Sequence, residues 1–257
     1  MIDREVFDRD GFVRLPGFAD RSTCDAMLDR VVTLTRQHAE GEGRVGLVLP
    51  EANLALTSAR QPEDLVSKVF LLHRDEVFGA FARDPRVTDL VAELIAPELD
   101  CFLSQFIFKN PAAWGQPWHQ DSYYFPFDPP RPIVGVWLAV TEATLGNGCL
   151  HVLPGSQREP VHRHEPDRRP GANYGYVEIV DHDMSAAEPV LMQPGDLLVF
   201  DSHLMHRSTD NVSDGIRAAM VYHYAIAGTV DRTLERQDYT INDWMPARRR
   251  DPQGPRA

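Results

Sequence analysis

From about Leu99 the chain changes texture. Short runs rich in β-branched and aromatic residues, punctuated by Pro and Gly, replace the helical spacing that precedes them. The runs are CFLSQFIFK, IVGVWLAVTEA, GCLHVLP, YGYVEIV, PVLMQ, DLLVF and RAAMVYHYAI. Strands this short must bury their apolar faces against one another, so the pattern predicts a β-sandwich or jelly roll in one domain, mainly β with flanking helices.

The front end reads differently. Asp20 is placed to cap a helix whose apolar residues Cys24, Met27, Leu28, Val31 and Leu34 follow helical spacing, with Gly41 and Gly43 ending it. Asp75 precedes EVFGAFA, and Asp84 with Pro85 precedes RVTDLVAELI, so each is a further capping candidate. The expected organisation is one domain over 1–246, with a helical front over 1–98 and a β core over 99–226. The basic tail ARRRDPQGPRA, Ala247 to Ala257, is expected to be a flexible end.

Composition narrows the function. A formal charge of −12 opposes nucleic acid or an anionic membrane as the partner, since both demand clustered Lys and Arg. No run of about 18 apolar residues exists, and MIDREVFDRD carries no basic leader with an apolar core, so a cytoplasmic protein without a membrane span is expected. Cys24, Cys101 and Cys149 are odd in number and lack a C-x-x-C pair, which argues for free, buried thiols.

Chemistry concentrates in PWHQDSYYFPF, where His119 and Asp121 sit among aromatic residues. In an extended strand, residues i and i+2 share a face, so an imidazole and a carboxylate would stand side by side while Gln120 points away. That donor pair suits a first-row divalent metal, and two histidines with one carboxylate leave positions open for oxygen chemistry. A second H-x-D, His73 and Asp75, reads as structural, with Asp75 a helix cap and His73 on the surface. Downstream, His203 or His206 is the candidate third ligand. Arg217 lies inside an apolar β-rich run, where its guanidinium requires an anionic partner; a bound dicarboxylate would suit its planar fork. His162 and His164 read as loop residues, and His151 and His223 as packed or supporting ones. The Arg-rich loop from Gln157 to Asn173 is either an active-site lid or a solvated irregular segment.

The order of these residues, with WHQDSYYFPF, WLAVTEATLGNGCLHVLPGS and HRSTDNVSDGIR in sequence, resembles the phytanoyl-CoA dioxygenase family of iron(II)- and 2-oxoglutarate-dependent oxygenases. The resemblance spans roughly Lys68 to Tyr224. It implies a double-stranded β-helix, a jelly roll of the cupin kind, with His119, Asp121 and His206 as iron ligands; His206 is favoured by the H-x-S pattern with Ser208 and the eleven-residue interval to Arg217. It further implies Arg217, assisted by Ser208, on the distal carboxylate of 2-oxoglutarate, with Trp137, Gln120, Gln105 and Lys68 around that cosubstrate. Tyr123, Tyr124, Phe125 and Phe127 would wall the substrate from water, and Arg131 is a candidate substrate contact; Arg158 and His162 read as solvent-exposed. The implied activity is hydroxylation of an unactivated C–H bond of a small molecule by dioxygen, with release of succinate and carbon dioxide. Desaturation, epoxidation, ring formation and epimerisation share the centre, and a non-catalytic jelly-roll binding module is the alternative outside enzymes.

Overall fold

The computed structural model describes residues 2–42, 46–51, 53–54, 61–170, 172, 175–233 and 242–250. Eight strands form one antiparallel sheet in the order Phe12–Leu15, Leu197–Asp201, Ile133–Ala139, Arg217–Ile226, Leu99–Lys109, Val66–Phe70 and Leu47–Pro50, with Met245–Arg248 also paired to Leu99–Lys109. A smaller sheet pairs Glu188–Val190, Leu150–Val152 and His206–Ser208. This is the expected jelly roll.

Strand alternation assigns the two faces of the large sheet. Along Arg217–Ile226, Ala218, Met220, Tyr222 and Tyr224 belong to the core shared with the helices, whereas Ala219 and Val221 pack in a second cluster with Val152 and Val190 of the small sheet. Both faces are therefore buried, which explains why RAAMVYHYAI is a nearly continuous apolar run. On the helical side, Tyr222 Oη donates to the Phe78 carbonyl and Tyr224 Oη to that of Ala82, both at 2.9 Å. Both carbonyls lie in helix Glu76–Ala82, and that of Ala82, its last residue, has no later turn to satisfy it.

Asp20 caps helix Arg21–Ala39 through the Thr23 amide, Asp75 caps Glu76–Ala82 through Val77, and Asp84 caps Pro85–Leu94 through Arg86. Gly41 follows helix Arg21–Ala39 with a positive φ of 76°, while Gly43 lies outside the described residues. Among the described residues, no helix is long and apolar enough to cross a membrane.

Several expectations need correction. The front 1–98 is not only helical: Phe12–Leu15, Leu47–Pro50 and Val66–Phe70 are strands of the large sheet. Each pairs with residues distant in sequence, and each is too short to declare itself by periodicity. The basic tail begins as structure, because Ala247 and Arg248 end a strand and the Arg249 guanidinium binds the Leu99 carbonyl and the Asp100 carboxylate; residues 251–257 lie outside the described residues. His73 is fully buried rather than exposed, its ring held between Ser104 Oγ and the Asp243 carbonyl, both at 2.7 Å.

Candidate metal and cosubstrate site

The segment 116–119 runs antiparallel to His206–Ser208 of the small sheet. His119 and His206 exchange both backbone hydrogen bonds, at 2.9 and 3.0 Å, and Ser208 N–H donates to the Gln116 carbonyl at 3.0 Å. A pair of this kind places both side chains on one face, and the two imidazole centroids lie 4.1 Å apart. Gln120 is extended, and Asp121 then opens the 3₁₀ turn Asp121–Tyr124, which swings its carboxylate back toward the imidazoles. The i, i+2 relation thus comes from one extended residue followed by a turn rather than from a regular strand.

Asp121 Oδ1 lies 3.5 Å from His119 Nε2 and 3.7 Å from His206 Nε2. The candidate ligand atoms of all three residues fall within 4.8 Å of one another, and all three are buried. The tautomers are fixed from behind. His119 Nδ1–H donates to the Pro117 carbonyl at 2.7 Å, and His206 Nδ1–H to that of Leu204 at 2.9 Å. Each Nε2 therefore presents a lone pair to the centre, the arrangement a metal-binding imidazole needs. Burial, with His119 nearby, pushes the His206 pKa down to about 4, so it is neutral at physiological pH.

Burial alone would raise the Asp121 pKa, but the imidazoles gathered around it, His206 and His223 foremost, hold it well below the usual carboxylate range. His223 Nε2–H donates to Asp121 Oδ2 at 2.7 Å. That residue sits in the Arg217–Ile226 strand, six positions after Arg217 and on the same face.

A cavity opens on these ligands. Its lining combines Arg217, Lys109, Ser208, Trp137, Gln105 and Lys68 with the apolar and aromatic Leu49, Phe70, Leu103, Tyr124 and Phe125. Arg217 is 1% exposed; its Nε–H donates to the Gly148 carbonyl at 3.2 Å and its guanidinium lies over the Trp137 ring. Nη1 of Arg217, Nε1 of Trp137 and Oε1 of Gln105 are buried with no hydrogen-bond partner among the described residues. Burial pushes the Arg217 pKa down to about 10, still charged at neutral pH. The two unpartnered donors, Arg217 Nη1 and Trp137 Nε1, are costly alone and fit an incoming carboxylate, whereas Gln105 Oε1 is an acceptor. Lys109, not singled out from the sequence, donates to Ser208 Oγ at 3.1 Å and to the Trp114 and Thr209 carbonyls at 2.9 and 3.0 Å. Lys68 Nζ donates to Gln116 Oε1 at 2.9 Å, and Gln116 Nε2 in turn lies 3.0 Å from His119 Nε2.

Other sequence candidates lie elsewhere. Gln120 does not line the cavity: its side-chain amide donates to the Pro160 and His203 carbonyls and accepts from the His162 backbone amide, so the side chain is spent on backbone groups. Tyr123 packs on His164 with centroids 4.3 Å apart, and Phe127 packs with Phe102, Phe125 and Trp244. Arg131 is engaged by Asp201 at 2.9 Å and by the Gln157 carbonyl. Arg158 reaches back to the Arg9 carbonyl, and His203 Nδ1 faces the Glu159 carbonyl, away from the ligand cluster. Much of the segment from Gln157 is anchored in this way, although Gly171, Asn173 and Tyr174 lie outside the described residues.

Against known proteins, the sequence model of the family described as Phytanoyl-CoA dioxygenase (PhyH) matches residues 7–219. The chain is 27% identical over 248 residues to the peroxisomal phytanoyl-CoA dioxygenase of Bos taurus, covering 91% of this chain and 73% of that protein. It is 31% identical over 205 residues to a probable phytanoyl-CoA dioxygenase of Caenorhabditis elegans, covering 73% of this chain and 66% of that one. In three dimensions it resembles the epimerase SnoN, solved with Fe3+, alpha ketoglutarate and nogalamycin RO, with a TM-score of 0.67 at 18% identity over 89% of this chain and 84% of that one.

Proposed function

Because the chain belongs to the phytanoyl-CoA dioxygenase family and is an iron(II)- and 2-oxoglutarate-dependent oxygenase, we propose that His119, Asp121 and His206 hold its iron and that Arg217 seats the cosubstrate. When bound, iron(II) and 2-oxoglutarate would activate dioxygen, the oxidant, with 2-oxoglutarate itself oxidised to succinate and carbon dioxide. The observation that carries the assignment is the convergence of two Nε2 lone pairs and one carboxylate oxygen on a single buried point, each imidazole locked from behind by a backbone carbonyl.

The chain's own contribution is placement. Arg217 offers its unpartnered Nη1 to the distal carboxylate of 2-oxoglutarate, with Trp137 and Gln105 bordering it and Lys109 holding Ser208 in position. His223 orients Asp121 and uses its Nε2 proton to do so. Leu49, Phe70, Leu103, Tyr124 and Phe125 supply an apolar and aromatic wall of the same cavity. That wall excludes water from the reacting face and suits a small organic substrate presenting an apolar C–H group, whose hydroxylation is the reaction we assign.

The test is a screen of small acids, acyl thioesters and polycyclic scaffolds for substrate-stimulated, dioxygen-dependent succinate formation by the iron(II)-loaded protein. A hydroxylated product formed in step with succinate, and lost in Asp121→Ala, supports the assignment. Products with a new double bond or ring would redirect it to another outcome of the same centre.

A further inference from the structure

We propose that Glu159, His162 and His182 form a second divalent transition-metal site, separate from the iron centre, that takes zinc or a similar borderline ion. Their candidate ligand atoms lie within 4.8 Å of one another. Glu159 Oε2 is 2.7 Å from His162 Nε2 and 3.1 Å from His182 Nε2, and the two imidazole planes stand at 89° with centroids 5.0 Å apart. Zinc bound tetrahedrally at about 2.0–2.1 Å separates neighbouring ligand atoms by roughly 3.3 Å, close to the distances between His182 Nε2 and the two Glu159 oxygens, 3.1 and 3.3 Å.

The hydrogen-bond arithmetic points to a cation. His182 Nδ1 faces the Asp183 carbonyl at 3.0 Å while its Nε2 faces the Glu159 carboxylate. Both ring nitrogens meet oxygen acceptors, so a neutral imidazole satisfies only one of them. Either an imidazolium or a metal ion bound through Nε2 resolves the conflict. Two imidazoles converge on the same carboxylate oxygen. His162 can meet it as a neutral Nε2–H donor, whereas a divalent ion would engage both Nε2 atoms and the carboxylate at once. The side chains are 19–40% exposed, which leaves room for water to complete the coordination.

The placement gives the site a consequence. His162 N–H donates to Gln120 Oε1 at 2.8 Å and Gln120 Nε2 donates to the Pro160 carbonyl at 3.1 Å, so the segment 159–162 forms the wall behind Gln120, between His119 and Asp121. An ion here clips that segment to His182 and stiffens the wall.

Metal-stripped protein would be titrated with zinc against a chromophoric chelator. The wild type is expected to take up two equivalents, and His206→Ala one. The remaining equivalent should be lost, or weakened at least tenfold, when His182→Ala or Glu159→Gln is added, and zinc should raise the melting temperature of His206→Ala but not of the double variants. Because His182 is on a surface loop, the single variant His182→Ala offers a second route, dropping the wild-type stoichiometry from two to one. If His206→Ala takes up no zinc, or if its uptake is unchanged by His182→Ala and Glu159→Gln, the cluster is an imidazolium–carboxylate ion pair and the proposal fails. None of these outcomes depends on the reaction assigned to the iron centre.

Discussion

Arg217 and Lys109 stand directly opposite each other across the antiparallel pair formed by Arg217–Ile226 and Leu99–Lys109, and both are buried. Like charges in this relation destabilise a sheet. Burial and the Arg217 charge push the Lys109 pKa well below its ordinary value. The proposed dicarboxylate against Arg217 would offset this repulsion, at a point where both residues line the cavity.

From this arrangement, 2-oxoglutarate alone should raise the melting temperature of the metal-free protein, since it supplies the missing anion to the folded state only. In Arg217→Met the shift should vanish, and the dissociation constant of the iron-loaded protein for 2-oxoglutarate should rise about 10- to 100-fold, the worth of a charge-assisted hydrogen bond. Arg217→Lys should recover little, because an ammonium cannot reproduce the planar fork. An unchanged dissociation constant in Arg217→Met would remove Arg217 from the cosubstrate site.

His223→Ala leaves all three proposed ligands in place but strips Asp121 of its 2.7 Å donor. Loss of such a supporting partner typically weakens metal affinity by about 10- to 100-fold. Iron(II) titration of the variant, with circular dichroism to verify folding, checks this; wild-type affinity would mean that Asp121 is oriented by other contacts.

Gly135 lies in the central strand Ile133–Ala139, where an added Cβ would meet the Phe200 ring at 2.2 Å. Phe200 also lines the cavity. Gly135→Ala should therefore destabilise the fold by about 1–3 kcal/mol, the usual range for overpacking a core, and should displace Phe200 against His206. Urea denaturation measures the first effect, and iron affinity the second.

How much of this was legible in the sequence depends on distance along the chain. His119, Asp121, His206 and Arg217 could be read because their chemistry is compressed into two short segments of unusual composition. His223 left a signal that could have been followed further, since Arg217, Val221 and His223 share one face of an alternating strand. Lys109 left a similar one, two residues beyond Ile107 and four beyond Gln105. Gln120 shows the opposite case. Strand alternation turned it away from the metal, the family resemblance drew it toward the cosubstrate, and the structure places it against the backbone of Pro160, His162 and His203. The burial of His73 was invisible, because its partners Ser104 and Asp243 are 31 and 170 residues away.

Buried histidines should set the acid limb of stability. Burial pushes His164 from its ordinary 6.5 down to about 4, and pushes His73 down as well. His164 Nε2 must stay unprotonated to accept the Gln120 amide. A histidine whose folded pKa is depressed takes up protons first in the unfolded chain, so its contribution is fully present above about pH 6.5 and is lost as pH falls toward 4. Urea midpoints of the metal-free protein should decline across that window. His164→Gln, which keeps an acceptor for the amide, should flatten the decline; an identical slope in the variant would assign the acid limb to other groups.

The most direct test of the central claim is an anaerobic titration of the metal-free protein with iron(II) and 2-oxoglutarate, followed through the visible charge-transfer absorption of the iron–cosubstrate chelate. The account predicts a band that saturates at one equivalent of each, disappears in His206→Ala and requires more 2-oxoglutarate in Arg217→Met. A folded protein that develops no band, or a band that persists unchanged in His206→Ala, would contradict the assignment of His119, Asp121 and His206 as the iron site.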